Sequence, residues 1–141
     1  MATYLEHANI TVPDVDAAIA FFRTVDPALR VRHDETPEGS HRWAHVGTEA
    51  SYIALQAPHV GSDAREPRQT YVNHGVNHLA WVVDDLQTVV DRLESRGYRR
   101  GIEGAAHPHR KRAYFYDAAG FEWEFVEYHS DDPAERNAYG P

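Results

Sequence analysis

The stretch "HLAWVVDDLQTVVDRL" (78–93) repeats, 71 residues later, the pattern of "HANITVPDVDAAIAFF" (7–22). In both stretches a histidine opens an apolar run with β-strand character, and an aspartate suited to capping a helix follows. The apolar residues after each aspartate recur at the spacing of an amphipathic helix. The repeat therefore predicts a duplicated strand–helix unit in which His7 and His78 occupy equivalent places.

Each predicted helix is followed by three segments with β-strand character. In the first half these are "LRVRHDE", "HRWAHVG" and "SYIALQA"; in the second they are "YRRGIEG", "RKRAYFYD" and "FEWEFVEY". The sequence thus predicts an α+β fold class made of two βαβββ modules. We expect one domain over residues 1–141, with module one at about 1–60, a polar linker at about 61–70 and module two at about 71–130. A short capped helix is expected in the remaining tail.

Composition excludes several function classes. The formal net charge of −8 disfavours nucleic acid and anionic membrane surfaces as partners. No apolar run is long enough to span a bilayer and no secretory signal is visible, so we expect a cytoplasmic protein. The chain has no cysteine and ten histidines, so a bound metal would have nitrogen and oxygen ligands.

Strand alternation assigns the histidines and acids to faces. His7 is expected on the polar face of its strand. In the last strand Phe121, Trp123 and Phe125 are expected on the apolar face, with Glu124 opposite. One histidine on a strand is commonly just solvated, but two at equivalent repeat positions favour a shared chemical role.

The segments "HANITVPDVDAAIAFF", "NHLAWVVDD" and "YFYDAAGFEWEFVEY" together give the chain its family likeness. The chain resembles the vicinal oxygen chelate superfamily over roughly residues 4 to 128. This superfamily includes glyoxalase I, type I extradiol dioxygenases, and fosfomycin and bleomycin resistance proteins. The resemblance implies two curved mixed sheets around a shared metal cavity. It also implies a homodimer that acts on a small molecule.

The resemblance further implies the metal ligands His7, His78 and Glu124, carried over by position. Two imidazoles and one carboxylate leave neighbouring coordination positions open for substrate oxygens. This ligand set accepts Fe, Mn, Ni or Zn, and the sequence does not choose among them.

Two departures from known relatives bear on the reaction. Glyoxalase I has a further ligand glutamate on the last strand of its first module, where this chain has Ala54, with Gln56 two residues along. Extradiol dioxygenases have a histidine and a tyrosine before the ligand glutamate, and here His107 and Tyr114 stand at compatible spacing. The resemblance implies a hydrogen-bonding role for Tyr114 and a proton-transfer role for His107. A tyrosine on a half-buried strand is, alternatively, simply a good β residue.

Further residues are candidates for binding the substrate. Trp43 and His45 share a strand face. They are expected either to line the substrate pocket or simply to pack against neighbouring strands. Gln56 could act only as a weak, neutral metal ligand. Arg112, in the basic segment "HRKR", attracts an anionic group or remains a solvated strand edge. Tyr116 shares its face with Arg112 by alternation.

The residues and the resemblance together favour a divalent-metal-dependent enzyme, with a slight preference for dioxygenase-like chemistry because of Tyr114, His107 and the missing fourth carboxylate. A glyoxalase-like lyase or isomerase is the near alternative. The competing class is a non-catalytic protein that sequesters a drug, as in bleomycin resistance.

Overall fold

The computed structural model of the chain describes residues 3–62 and 69–139. The chain divides into two compact units, residues 1–67 and 68–141, which are described separately below. Most of the predicted linker, about residues 61–70, lies outside the described residues. Among the described residues, none of the helices combines the length and the apolar character that crossing a bilayer requires.

Unit 1 is a four-stranded mixed sheet with one helix. Its elements are β1 (His7–Thr11), α1 (Val15–Val25), β2 (Arg30–Glu35), β3 (Trp43–Gly47) and β4 (Tyr52–Gln56). The strand order is β1-β4-β3-β2, with β1 parallel to β4 and the other pairs antiparallel. The three strands predicted after the first helix are all present.

Unit 2 has a three-stranded mixed sheet and two helices. Its elements are β5 (His78–Val82), α2 (Leu86–Ser95), β6 (Arg110–Tyr116), β7 (Glu122–Tyr128) and the short α3 (Pro133–Arg136). The order is β5-β7-β6, and β5 runs parallel to β7 as β1 does to β4. The two mixed sheets confirm the predicted α+β class and are consistent with two βαβββ modules.

Both long helices begin where the repeated aspartates predict. The Asp14 carboxylate accepts a hydrogen bond from the Ala17 N–H, and that of Asp85 accepts one from the Thr88 N–H, each at 3.0 Å. These bonds satisfy N–H groups that have no partner in the first helical turn. Each helix then packs its apolar face on its own sheet, burying Val15, Ala18, Phe21, Phe22 and Val25 in α1 and Leu86, Val89, Val90 and Leu93 in α2.

One predicted strand is largely absent. Segment 98–104 contributes an isolated bridge between Arg100 and Phe115 rather than a full strand. Its Gly101 N–H donates to the Tyr114 carbonyl at 2.7 Å, so the segment still lies along the β6 edge. Gly101 and Gly104 have no side chains to pack on a sheet, and glycine in a strand interior weakens pairing.

The turn before β7 is built by Asp117. Its Oδ1 accepts from the N–H groups of Ala119 and Phe121, at 2.9 and 3.0 Å, and Gly120 adopts a positive φ of 84°. Its Oδ2 accepts from the indole N–H of Trp123 at 3.0 Å. The prediction that Phe121 lies in the apolar face was wrong, because this residue belongs to the turn and is 38% exposed.

Candidate functional site

One face of the unit 2 sheet carries most of the predicted site residues of that unit. Strand β7 is central, and its register places a residue of β5 on one side and of β6 on the other. Because side chains alternate, residues in register share a face. The face consists of three rows: His78, Glu122 and Tyr116; Ala80, Glu124 and Tyr114; and Val82, Val126 and Arg112.

His78 and Glu124, two of the predicted ligands, meet on this face. The Nε2 atom of His78 lies 3.1 Å from Oε2 of Glu124. Glu124 is only 9% exposed, while His78 keeps access to solvent. A nitrogen and an oxygen donor therefore approach one point from adjacent rows, which is the geometry that two ligands of one ion need.

Tyr114, the predicted hydrogen-bonding residue, lies beside this pair. Its ring meets the His78 ring edge-on, with centroids 5.5 Å apart. Burial, and then hydrogen bonding to the Glu124 carboxylate, raise the pKa of Tyr114 above its ordinary value of 10.0. The phenol thus stays protonated at neutral pH and acts as a hydrogen-bond donor at the edge of the pair.

Glu122 is a functional candidate that the sequence reasoning did not single out. Its side chain is fully buried, and Oε1 accepts a 2.5 Å hydrogen bond from the Tyr71 hydroxyl. The Tyr71 oxygen is also 3.2 Å from Nδ1 of His78. Alternation already places Glu122 on the face of Glu124, so its position was predictable. The contact with Tyr71, 51 residues earlier, had no sequence signal.

Tyr116 and Arg112 lie on the same face of β6, on either side of Tyr114. Interaction with the Glu122 carboxylate, and then burial, raise the pKa of Tyr116, and the Arg99 guanidinium lies 3.8 Å from the centre of its ring. Arg112 donates to the Ala105 carbonyl at 3.0 Å and forms no ion pair among the described residues. Both face the side of the sheet that carries Glu124.

The described contacts of His107 are made elsewhere. Its Nε2 lies 3.0 Å from the Ala138 carbonyl oxygen, and its Nδ1 accepts the N–H of His109 at 3.1 Å. Nε2 is therefore engaged by the C-terminal segment, and Nδ1 by the backbone of its own loop. No described contact brings His107 to the pair of His78 and Glu124.

The face of unit 1 that carries His7 is rich in aromatic rings. The His7 ring stacks on Tyr52 at 4.7 Å, and Tyr52 contacts His45 at 4.5 Å. Trp43 lies between His45 and His33, at 5.1 and 4.3 Å. These five residues form a continuous strip, called the aromatic strip below. His33 was not predicted to belong to it and enters through the pairing of β2 with β3.

Two other predicted positions in unit 1 follow from strand register. Gln56 pairs with Trp43 and Ala54 with His45, so both lie on the face of the aromatic strip. Ala54 is buried at the place of the missing fourth carboxylate, and the Gln56 amide nitrogen lies 3.3 Å from His59 Nε2. Burial, and then the nearby Arg32 charge, lower the pKa of His45.

The donor groups present suit a divalent ion in part. In unit 2, the donors His78 and Glu124 converge, and the nitrogen and oxygen types match Mn, Fe, Ni or Zn. His7 offers an imidazole on the polar face of β1, with Nδ1 3.1 Å from Glu6 Oε2. Within the described residues, no three histidine, aspartate or glutamate side chains are grouped so as to hold an ion together.

Comparisons with known proteins agree with this architecture. A family model described as the Glyoxalase/Bleomycin resistance protein/Dioxygenase superfamily matches residues 4–125. None of the curated protein sequences matches the chain significantly.

Solved structures share the fold at low sequence identity. A glyoxalase family protein from Bacillus cereus has a TM-score of 0.76 at 18% identity, covering 92% of this chain and 97% of its own. The fosfomycin resistance protein FosX from Listeria monocytogenes, complexed with Mn(II) and sulfate, has a TM-score of 0.67 at 15% identity, covering 98% of this chain and 100% of its own. A glyoxylase/bleomycin resistance protein/dioxygenase domain from Frankia sp. EAN1pec has a TM-score of 0.71 at 19% identity, and the match covers 91% of this chain and 99% of the Frankia chain.

Proposed function

Because the chain belongs to the Glyoxalase/Bleomycin resistance protein/Dioxygenase superfamily, we propose that it is a divalent-metal-dependent enzyme. Its substrate is a small molecule that chelates the metal through neighbouring oxygens. The proposed ligands are His7, His78 and Glu124.

One observation carries the proposal. His78 Nε2 and Glu124 Oε2 lie 3.1 Å apart on one face of the unit 2 sheet, beside the phenol of Tyr114. His7 is proposed as the third ligand from the family resemblance and from its place in the sequence repeat, which is equivalent to that of His78. The Mn(II) bound by a FosX structure supports a divalent ion as the cofactor.

The residues around the pair define what this site contributes to a reaction. A bound divalent ion supplies Lewis acidity to substrate oxygens. Tyr114, beside Glu124, is proposed to donate its phenol proton as a hydrogen bond to a substrate oxygen on which negative charge develops, once the Glu124 carboxylate is used as a metal ligand. Arg112 and Tyr116, on the same strand face, are proposed to orient the rest of the substrate.

Within this class we favour dioxygenase-like chemistry over a glyoxalase-like lyase or isomerase. Tyr114 stands beside the proposed ligands, and Ala54 leaves the glyoxalase I type without its fourth carboxylate. The role of His107 in proton transfer stays a prediction, with its described contacts at the C-terminal segment. A homodimer is likewise proposed from the family resemblance, and the cytoplasmic location stays an expectation.

The second candidate function is non-catalytic binding of a cationic aromatic compound. The aromatic strip on unit 1 favours it, because its rings present π faces and edges along one side of the sheet. Cations and aromatic ligands bind to such surfaces by stacking and cation–π contacts.

Elemental analysis of metal-free and reconstituted protein distinguishes the two candidates. We expect about one divalent ion per chain in the wild type, and loss of the ion in His78→Ala and Glu124→Gln. The control is His129→Ala, which removes a histidine that pairs with Glu127 rather than with the proposed ligands. Absence of any metal after reconstitution, combined with binding of a cationic aromatic dye, would refute the enzyme and favour the binding protein.

A further inference from the structure

We propose that Tyr71 and Glu122 form a hydrogen-bond relay that positions His78 with its Nε2 atom directed at the metal ion. The inference rests on the proposed function, since it concerns one of the proposed ligands. It assigns a positioning role to two residues that neither the family match nor the repeat identifies.

Counting protons along the relay fixes the orientation of each bond. Tyr71 has one hydroxyl proton, and the 2.5 Å contact directs it to Oε1 of Glu122. The 3.2 Å contact between the Tyr71 oxygen and His78 Nδ1 must therefore be donated by Nδ1. In a neutral imidazole with its proton on Nδ1, Nε2 is left with a free lone pair.

That lone pair points at Glu124. Nε2 of His78 lies 3.1 Å from Oε2 of Glu124, so two electron-pair donors approach each other with no proton of the relay between them. Such a contact is unfavourable without a positive charge, and a metal ion would be bound by both atoms. The relay thus prepares the pair for a cation by fixing which ring nitrogen carries the proton.

The burial of Glu122 explains why the relay is held firmly. The residue is 2% exposed and forms no ion pair with arginine or lysine among the described residues, while its Oε2 atom has no hydrogen-bond partner there. A buried carboxylate is strongly destabilising unless donors satisfy it. Tyr71 supplies the shortest such bond, and burial and Glu122 together hold the pKa of Tyr71 well above its usual range.

The backbone of Tyr71 also shows that this side chain is held in place. Its φ of 63° makes it the one non-glycine residue with positive φ in the described part of the chain. Its N–H donates to Asn77 Oδ1 at 2.8 Å, and about half of the residue is exposed although its hydroxyl reaches a buried acid. Left-handed backbone in a bulky residue is costly and persists where the surroundings impose it, often at functional sites.

The test compares zinc binding by the full chain and two tyrosine variants, measured by competition with a chelator of known affinity. Tyr71→Phe keeps the ring and removes the hydroxyl, and we expect its zinc affinity to fall about 10- to 100-fold. The matched control is Tyr128→Phe, which removes a hydroxyl from a residue of the same strand β7 whose ring contacts Arg136 and which has no described contact with His78 or Glu122. The control should bind zinc as the wild type does.

Equal weakening in both variants, or unchanged affinity in Tyr71→Phe, overturns the relay while leaving the metal site standing. If the wild type binds no zinc or manganese, the proposed function fails instead. The relay is then tested by nitrogen NMR of the His78 ring in the metal-free protein. A proton on Nδ1 that is lost or exchanges faster in Tyr71→Phe supports the relay, and an Nδ1 without a proton in the wild type overturns it.

Discussion

Replacing Asp117 by asparagine tests how the turn before β7 fixes the strand that carries Glu124. The carboxylate accepts two backbone hydrogen bonds on Oδ1 and the indole N–H of Trp123 on Oδ2. Asparagine keeps one oxygen for the backbone donors but places an NH₂ group opposite the indole. Because Trp123 is only 2% exposed, its N–H then lacks both its acceptor and water.

The magnitude follows from the type of bond that is lost. A hydrogen bond to a charged group contributes about 1.5–3 kcal/mol, and an unsatisfied buried donor carries a similar penalty. Burial raises the pKa of Asp117 above 3.8, so the ionised carboxylate is itself destabilised in the fold, and asparagine removes that penalty. We therefore expect Asp117→Asn to lower the free energy of unfolding by about 2 kcal/mol at neutral pH.

The assay is urea unfolding followed by far-UV circular dichroism, arranged as a double-mutant cycle with Trp123→Phe. The phenylalanine variant has no N–H to satisfy, so Asp117→Asn should be far less harmful in that background, with a coupling energy above about 1 kcal/mol. The exposed Asp131→Asn is the matched control and should change stability by less than about 0.5 kcal/mol. A coupling energy near zero would refute the reasoning.

The raised pKa of Asp117 gives this prediction a pH dependence. In the folded chain the carboxyl holds its proton at higher pH than in the unfolded chain, where 3.8 applies. The contribution of the Asp117 carboxyl to the free energy of unfolding is therefore complete below pH 3.8, and it is lost as the pH rises through the folded pKa. The difference in stability between the wild type and Asp117→Asn should fall as the pH rises through this window; a difference that rises instead would contradict the burial argument.

The remaining predictions concern both units. The Arg42 guanidinium donates to the Asp34 carboxylate at 2.7 and 2.9 Å and lowers the pKa of that carboxyl. The stabilisation that this ion pair gives the fold is therefore present above pH 3.8 and is lost as the pH falls through the folded pKa of Asp34. In Arg42→Gln, an NMR titration should find the pKa of Asp34 higher than in the wild type. In Gly101→Ala the new Cβ atom would lie 2.9 Å from a Cβ atom of β6, which predicts a loss of about 1–3 kcal/mol in urea unfolding. Gly104→Ala, whose contacts begin at 3.4 Å, is the control and should lose less; equal losses would show that the close approach is not the cause. Asp85→Ala removes the cap of α2 and should lower stability by about 1 kcal/mol, and a loss below about 0.3 kcal/mol would show that the cap contributes little.

The sequence by itself was sufficient for features that depend on neighbouring residues. Asp14 and Asp85 cap their helices because a side chain three residues before an N–H group reaches it within a single turn. Alternation placed Glu124 on the face opposite Trp123 and Phe125, since side-chain direction in a strand has a period of two. The face of His78 came instead from the pairing of β5 with β7. Gly120 likewise marked its turn through the positive φ that glycine allows.

The sequence pattern predicted the wrong local structure where the same residues suit either a strand or a non-strand segment. Segment 98–104 has enough β character to suggest a strand, but its glycines and the β6 edge decide that a single bridge forms. Phe121 continues the alternation of β7 in sequence, yet the Asp117 turn leaves it outside the strand and exposed. In both cases the backbone bonds of a neighbouring segment decided the outcome.

Only the tertiary structure decided which polar groups share the site. The hydroxyl of Tyr71 reaches Glu122 across 51 residues of sequence, and Nε2 of His107 reaches the Ala138 carbonyl oxygen across 31. Neither contact follows the periodicity of a helix or a strand, or any motif spacing, so the sequence alone does not predict it. The physical reason is that hydrogen bonds between distant side chains depend on distances of a few tenths of an ångström, whereas helix caps and strand faces follow from the covalent geometry of the chain itself.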